Sequence, residues 1–137
     1  MTAELAPPIV PYIARDDAGQ PYLQGVRCTA CGHVYIGLRL ACAKCLARDN
    51  METIHLPTNG KLYSFSIIHR SFPGAQVPFI DAIVDLDGGG HIKGTLRGIS
   101  PDPADIPFDL PVKIVFAEAE PANAPGKPHL TYFFEPS

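Results

Sequence analysis

The chain contains four cysteines, all within one short segment, and their pattern is C-x2-C-x10-C-x2-C with none left over. Both thiolates of a C-x-x-C turn can bind the same metal ion, and two such turns supply the tetrahedral sulfur set that suits zinc. Gly32, directly after the second cysteine, gives the backbone the freedom that such a turn often needs. The spacing therefore predicts a zinc ribbon whose metal ligands are Cys28, Cys31, Cys42 and Cys45.

Other chemistry is compatible with the same four cysteines. Two disulfides would need an oxidising compartment, and residues 1–15 have neither the basic start nor the apolar run of a secretory signal. A redox motif is usually a single pair beside a βαβ unit. A single iron of rubredoxin type would use the same ligands as zinc. Because four thiolates fill a tetrahedral set, we expect a structural metal and interpret His33 as an exposed turn residue.

Composition restricts the rest of the 137-residue chain to one small globular unit built from short elements. Hydrophobic residues make up 46% and charged residues 18%, which excludes a disordered protein. The 15 prolines and 12 glycines argue against long helices. A formal net charge of −3 is unfavourable for non-specific binding to nucleic acid. With no apolar run of membrane-spanning length and no signal sequence, we expect a cytoplasmic protein.

From Gly60 onward, apolar and polar residues alternate in five short segments, which predicts five strands. The triple glycine 88–90 predicts a hairpin turn between the second and third strands, and residues 100–111 predict a loop with at most one helical turn. The predicted order is three strands, a longer connection and two further strands. This order is typical of an OB-type barrel, and a small β-sandwich is the alternative. The predicted strands cover residues 61–70, 79–87, 91–97, 112–117 and 130–134.

These patterns together predict a mainly β protein, an N-terminal zinc ribbon followed by a five-stranded OB-type barrel. The predicted divisions are an N-terminal arm over 1–24, the ribbon over 25–56 and the barrel over 57–137. Alternation places Tyr63, Phe65 and Ile67 on one face of the first barrel strand. In the last strand it separates Leu130, Tyr132 and Phe134 from Thr131 and Phe133, so that one face presents aromatic surface outward.

Three features suggest catalysis or ligand binding, and each has a simpler interpretation. A phosphate-binding glycine loop normally leads into a helix, whereas the triple glycine joins two strands. The carboxylates Asp81, Asp85 and Asp87 fall on the polar side of a half-buried strand, where a solvated face is the default. The histidines other than His33 match no nucleophile pattern: His55, His69, His91 and His129. The sequence therefore offers no recognisable set of catalytic residues.

Three segments carry a resemblance to a known family: residues 21–32 (PYLQGVRCTACG), 60–66 (GKLYSFS) and 77–94 (VPFIDAIVDLDGGGHIKG). Together they resemble the acyl-CoA-associated OB-fold family with a rubredoxin-like zinc ribbon, formerly a domain of unknown function. The resemblance spans residues 21–135. It implies a small non-catalytic subunit that binds and stabilises a thiolase-superfamily partner.

The resemblance further implies that the partner acts on acyl-CoA thioesters, by thiolytic or aldol-type C–C cleavage or by acyl transfer. It points to CoA esters of aromatic compounds or steroid side chains, with acyl-CoA bound at the partner interface. In place of the helical segment common at the N-terminus of the family, Pro7, Pro8 and Pro11 favour an extended arm. We expect the outward C-terminal aromatic surface and the loop 71–78, which carries Phe72, to contact the partner.

A single-stranded nucleic-acid-binding module is the alternative, because OB folds and zinc ribbons both serve that role. The aromatic residues that could stack on bases are Tyr63, Phe65, Tyr132, Phe133 and Phe134. The basic residues around the ribbon are Arg27, Arg39, Lys44 and Arg48. These cations could equally meet CoA phosphates or an acidic partner surface. The net charge favours the partner, so we predict no binding to nucleic acid or membrane.

Overall fold

The computed structural model describes residues 6–71, 73–120 and 126–137. Within these ranges the chain forms nine strands and one 3₁₀ turn at Pro103–Asp105, and it contains no α-helix. The strands are β1 (Ile13–Arg15), β2 (Pro21–Cys28), β3 (Val34–Ile36), β4 (Met51–His55), β5 (Asn59–Ile68), β6 (Phe79–Leu86), β7 (His91–Leu96), β8 (Pro111–Ala119) and β9 (His129–Pro136). No helix in the described part of the chain has the length and apolar character needed to cross a membrane.

The five C-terminal strands close into a barrel in the order β5-β6-β7-β9-β8, and β8 pairs back onto β5. Every pairing in the barrel is antiparallel except that of β7 with β9, which is parallel. This is the strand order of an OB-type barrel, with the third and fifth strands side by side. Closure confirms the predicted barrel over the sandwich alternative, and the 3₁₀ turn confirms the single helical turn expected in the 100–111 loop.

The alternation predicted for the β6–β7 hairpin is confirmed. Its inward residues are buried: Ile80, Ala82, Val84, Leu86, Ile92 and Leu96. On the outer face Asp81 pairs with Lys93 at 3.1 Å, and Asp85 pairs with His91. These carboxylates therefore lie on the polar outer face of the strand, as predicted.

The interior of the barrel is filled by aromatic rings from β9. Tyr132 and Phe134 are buried. They pack over Gly94, where an added Cβ would lie 2.8 Å from the Tyr132 ring and 3.0 Å from the Phe134 ring. Phe133 points outward and is half-buried, with the Arg97 guanidinium 4.1 Å above its ring. The predicted split of β9 into an inward and an outward aromatic face is therefore confirmed.

The predicted position of Tyr63 is wrong, because a β-bulge interrupts β5. The pairing of β5 with β6 shifts register between Leu62 and Ser64, which leaves Tyr63 without a partner residue. Leu62 is buried and Phe65 packs against the core, whereas Tyr63 is 62% exposed. A bulge adds one residue to one strand and so reverses the face of every residue beyond it. Simple alternation could not place Tyr63 correctly.

The N-terminal part of the chain forms a separate small sheet around β2. Strands β1, β3 and β4 all pair antiparallel with β2, and the predicted boundary between residues 24 and 25 lies inside that strand. Before β1, the Ile9 N–H donates to the Leu130 carbonyl at 2.9 Å and the Leu130 N–H donates to the Pro7 carbonyl at 2.8 Å. Residues 7–9 thus pair with the first residues of β9, whereas the chain bends at 9–10 and turns at 11–12, so the predicted extended arm does not include Pro11. The division into arm, ribbon and barrel stays a prediction.

The small sheet and the barrel share one hydrophobic core. Ile13, Leu23 and Leu56 are buried in the same cluster as the barrel interior. On the outside, the triple-glycine turn packs against β3. An added Cβ would lie 3.2 Å from Val34 at Gly89 and 3.1 Å from the Ile36 Cδ1 at Gly90.

All three glycines of this turn have positive φ, between +85° and +113°. Glycine adopts this conformation without steric cost. The turn confirms the predicted hairpin, and its lack of side chains lets the two sheets approach closely.

One sequence prediction falls partly outside the described residues: the loop 71–78 is described except for Phe72.

Candidate metal centre

The four cysteine side chains converge on one point at the end of β2. All four sulfur atoms lie within 4.8 Å of one another. The Cys28 and Cys45 sulfurs are 3.6 Å apart, and those of Cys31 and Cys42 are 3.5 Å apart. Zinc–sulfur bonds of about 2.3 Å in a tetrahedron place the sulfurs about 3.8 Å apart, whereas a disulfide needs about 2.0 Å. The arrangement fits a tetrahedral metal site, and the cysteines are not disulfide-bonded.

Each C-x-x-C segment forms a turn closed by one backbone hydrogen bond. The Gly32 N–H donates to the Cys28 carbonyl at 2.7 Å, and the Leu46 N–H donates to the Cys42 carbonyl at 2.9 Å. The residue after each turn has positive φ, +81° at Gly32 and +65° at Leu46. The two turns therefore have equivalent backbones, which aim two pairs of sulfurs at each other.

Backbone contacts hold the two turns in place. The Thr29 N–H and hydroxyl both donate to the Asn50 carbonyl, at 2.8 and 3.0 Å, which ties the first turn to the start of β4. In the second turn, the Cys42 N–H donates to the Ala47 carbonyl at 2.9 Å. Cys28 and Cys42 are buried and Cys31 and Cys45 are exposed, so the site lies at the surface with two ligands beneath it.

Tyr35 on β3 contacts the site and was not among the residues predicted from the sequence. Its hydroxyl accepts a hydrogen bond from the Ala43 N–H at 2.9 Å and lies 3.5 Å from the Cys42 sulfur, to which it donates. Hydrogen bonding by the Tyr35 hydroxyl, joined by the Cys45 N–H, holds the pKa of the Cys42 thiol down at about 5. A depressed thiol pKa favours the thiolate, which is the form that binds metal.

The other residues around the site have lesser roles. His33 is exposed, as predicted, and its ring lies 4.7 Å from the Tyr35 ring rather than among the sulfurs. The Arg39 guanidinium carbon lies 4.3 Å from the centroid of the Tyr35 ring. Arg27 pairs with Glu52 at 3.2 Å on the neighbouring strand. Arg27 and Arg39 thus contact different partners, a carboxylate on β4 and an aromatic ring on β3.

The aromatic residues considered for base stacking do not form a common platform. Tyr132 and Phe134 are inside the barrel and Phe65 packs against the core. Tyr63 and Phe133 are the two that reach the outer surface, and Phe133 is covered by Arg97. This distribution is unfavourable for a single-stranded nucleic-acid site, which needs aromatic rings along a basic groove.

The fold and the site define a class of protein: a four-cysteine ribbon joined through a common core to a closed OB-type barrel. The sequence-family model of the ChsH2 C-terminal OB-fold domain matches residues 53–117 of this chain, which run from β4 into β8. The chain belongs to this OB-fold family, the DUF35 family, as the resemblance of the three sequence segments predicted.

Relatives of this chain include a scaffold protein and a thiolase subunit. It is 33% identical over 117 residues to a DUF35 domain-containing scaffold protein of Methanocaldococcus jannaschii, covering 83% of this chain and 81% of the relative. It is 30% identical over 118 residues to the benzoylsuccinyl-CoA thiolase subunit BbsA of Thauera aromatica, covering 86% and 78%. Among solved structures, a chain of the Ltp2-ChsH2(DUF35) aldolase aligns with a TM-score of 0.65 and 26% identity over 84% of both chains.

Proposed function

We propose that this chain is a non-catalytic, zinc-binding subunit that associates with and stabilises a thiolase-superfamily enzyme acting on acyl-CoA thioesters. The observation that carries the proposal is the similarity along most of the fold to a thiolase subunit and to a chain of an aldolase assembly. The proposed substrates are CoA esters of aromatic compounds or steroid side chains, and the name of the thiolase relative supports the aromatic class. Thiolytic or aldol-type C–C cleavage by the partner is the proposed chemistry, with acyl-CoA held at the interface of the two subunits.

The metal centre supports a structural role for this chain. Four converging thiolates would fill the coordination sphere of a zinc ion, which leaves no position for water or substrate. Bound zinc would hold the two C-x-x-C turns together, because the segment around them has little apolar core of its own. Thiolates of this kind persist in a reducing compartment, which favours a cytoplasmic complex.

The shared core of the ribbon and the barrel also supports a scaffold role. Ile13, Leu23 and Leu56 pack into the barrel cluster, and the triple-glycine turn contacts β3 from outside. A pre-ordered subunit loses little conformational entropy when it binds, so it can stabilise a partner at low cost.

Co-expression tests the proposal directly. Each thiolase-superfamily protein encoded in the same genome is expressed with the full chain, and complexes are separated by size exclusion with light scattering and zinc analysis. We expect one of these proteins to co-elute with the chain and to cleave its acyl-CoA substrate only in the complex. The proposal fails if none co-elutes, or if the purified chain alone releases free CoA.

A further inference from the structure

Leu46 directly follows the second C-x-x-C turn, at the position that a glycine occupies after the first turn. The first turn is followed by Gly32 at φ +81°, and the second by Leu46 at φ +65°. A branched, bulky side chain is disfavoured in this left-handed conformation, whereas glycine is not. Leu46 is also 79% exposed, so packing within this chain does not offset the strain. The turn accounts for the strained backbone, but no packing contact within the described chain accounts for an exposed leucine side chain at this position.

Two further leucines lie beside Leu46. Leu38 is 72% exposed and Leu40 is 83% exposed, and both line one shallow surface depression with Leu46. We call these three residues the leucine ridge. Contiguous exposed apolar surface on a small domain is typical of a protein interface.

The segment that carries the ridge is positively charged. Residues 25–48 contain four cations and no carboxylate, although the whole chain has a net charge of −3. Of these cations, Arg39, Lys44 and Arg48 form no ion pair with any residue that the structure describes. The nearest carboxylate along the chain is Asp49, whose N–H donates to the Leu40 carbonyl at 3.1 Å at the edge of the ridge.

The ridge is held in place by the metal centre. Leu46 closes the second turn, and Ala41 forms a β-bridge with Arg48 across the segment. The Ala43 N–H donates to the Tyr35 hydroxyl, and Arg39 lies over the Tyr35 ring. Because the backbone of the ridge is already ordered, binding would not have to immobilise it.

We propose that the leucine ridge is a docking surface of this chain for the thiolase-like subunit, in addition to the C-terminal aromatic surface expected from the sequence. The inference rests on the proposed function and names the face that performs it. The fitting surface on that subunit is an apolar groove bordered by Asp and Glu side chains, which would pair with the three free cations. Aliphatic side chains at the centre of the patch favour a protein over single-stranded nucleic acid, which would require aromatic rings.

The decisive variant is Leu46→Gly, because it removes the apolar contact and relieves the backbone strain together. We expect this variant to retain one equivalent of zinc and to unfold at the same temperature as the wild type or higher. Its dissociation constant for the thiolase-superfamily protein that co-elutes with the wild type should rise at least tenfold, measured by titration calorimetry. The double variant Leu38→Ser, Leu40→Ser should weaken binding similarly without touching the turn.

The matched control is Phe108→Ser, since Phe108 is 83% exposed in the loop before β8. We expect this variant to bind within twofold of the wild type. Reversal of charge in Lys44→Glu, Arg48→Glu should slow association and flatten its dependence on salt.

The outcomes separate the two proposals. If the wild type binds no thiolase-superfamily protein, the proposed function itself fails. If the wild type binds but both leucine variants bind within twofold and retain zinc, the docking surface is wrong and the proposed function stands. If the ridge variants abolish only self-association of this chain, the ridge is a contact between copies and the inference is likewise overturned.

Discussion

The hydroxyl of Tyr12, just before β1, lies 2.6 Å from the hydroxyl of Tyr132 inside the barrel. Tyr132 donates its own proton to the Lys93 carbonyl, so Tyr12 is the donor in the pair. This short chain of hydrogen bonds lies within the core that joins the small sheet to the barrel. Burial, and then the contact with Tyr12, raise the pKa of Tyr132 well above its usual value.

Replacement of Tyr132 by Phe should therefore destabilise the protein by about 1–3 kcal/mol, since it leaves the Lys93 carbonyl and the Tyr12 hydroxyl without this partner. Urea unfolding at pH 7 measures the loss. Tyr12→Phe, which removes only the outer bond, is the control and should cost less. An equal loss in the two variants would show that the hydrogen bond to the Lys93 carbonyl contributes nothing to stability.

The raised pKa of Tyr132 also predicts a pH dependence. A tyrosine whose folded pKa exceeds its unfolded value of about 10 stabilises the fold fully below pH 10, and this contribution is lost as the pH rises above it. We expect the free energy of unfolding to fall more steeply above pH 10 in the wild type than in Tyr132→Phe. Parallel slopes in the two proteins would argue that this hydroxyl ionises without hindrance.

The hydrogen bond from Tyr35 to Cys42 predicts a selective effect on the metal centre. Tyr35→Phe should raise the pKa of the Cys42 thiol from about 5 toward an ordinary thiol value and weaken zinc binding about tenfold. Protons would then displace the metal at a higher pH than in the wild type, which a zinc-sensitive dye reports. His33→Ala is the control, because that exposed side chain lies outside the sulfur cluster. Unchanged zinc release in Tyr35→Phe would mean that the hydroxyl contributes nothing to the site.

The cysteine cluster predicts one zinc ion for each chain. Metal analysis should return near one equivalent, and Cys31→Ser should lose it. Because Leu23 and Leu56 belong to the barrel core as well, loss of metal should also lower the thermal midpoint of the barrel. Two disulfides in freshly purified, metal-free protein would refute the zinc site.

The contact between the triple-glycine turn and β3 can be separated from backbone strain. Gly90→Ala would place a Cβ 3.1 Å from Ile36 at a φ of +94°. Gly74→Ala, at φ +90°, would meet no atom within 4 Å among the described residues beyond its chain neighbours. We expect both variants to lose stability through strain, and Gly90→Ala to lose about 1 kcal/mol more through the contact. Thermal unfolding measures the difference. Equal losses would show that the turn does not constrain the ribbon.

The sequence predicted structure best where the structure depends on residues close together along the chain. Two C-x-x-C turns must place their thiols close together, and period-two alternation in β6 and β7 follows directly from burial of one face. The sulfurs converge as a metal site requires, and the buried inward residues of the hairpin confirm the predicted alternation.

Features that depend on contacts between distant segments were not predictable in this way. Tyr63 faces solvent because of a bulge that leaves no mark in the apolar pattern. Tyr35 reaches Cys42 because β3 lies beside the second turn, and a tyrosine in a strand carries no signal of that contact. The triple glycine was correctly predicted as a turn, but its fit against Val34 and Ile36 required the structure.

The pairing of the proline-rich N-terminal segment with the start of β9 has a consequence for how the chain acquires its fold. Pro8 forms a parallel bridge with Leu130, so the segment before β1 pairs only after β9, far along the chain, has left the ribosome. Contacts of such high sequence separation slow folding, because a long loop must close before they form. The β6–β7 hairpin, built from neighbouring residues, can assemble while translation continues. We therefore expect biogenesis to end with the N-terminal segment closing over a barrel that is otherwise already assembled.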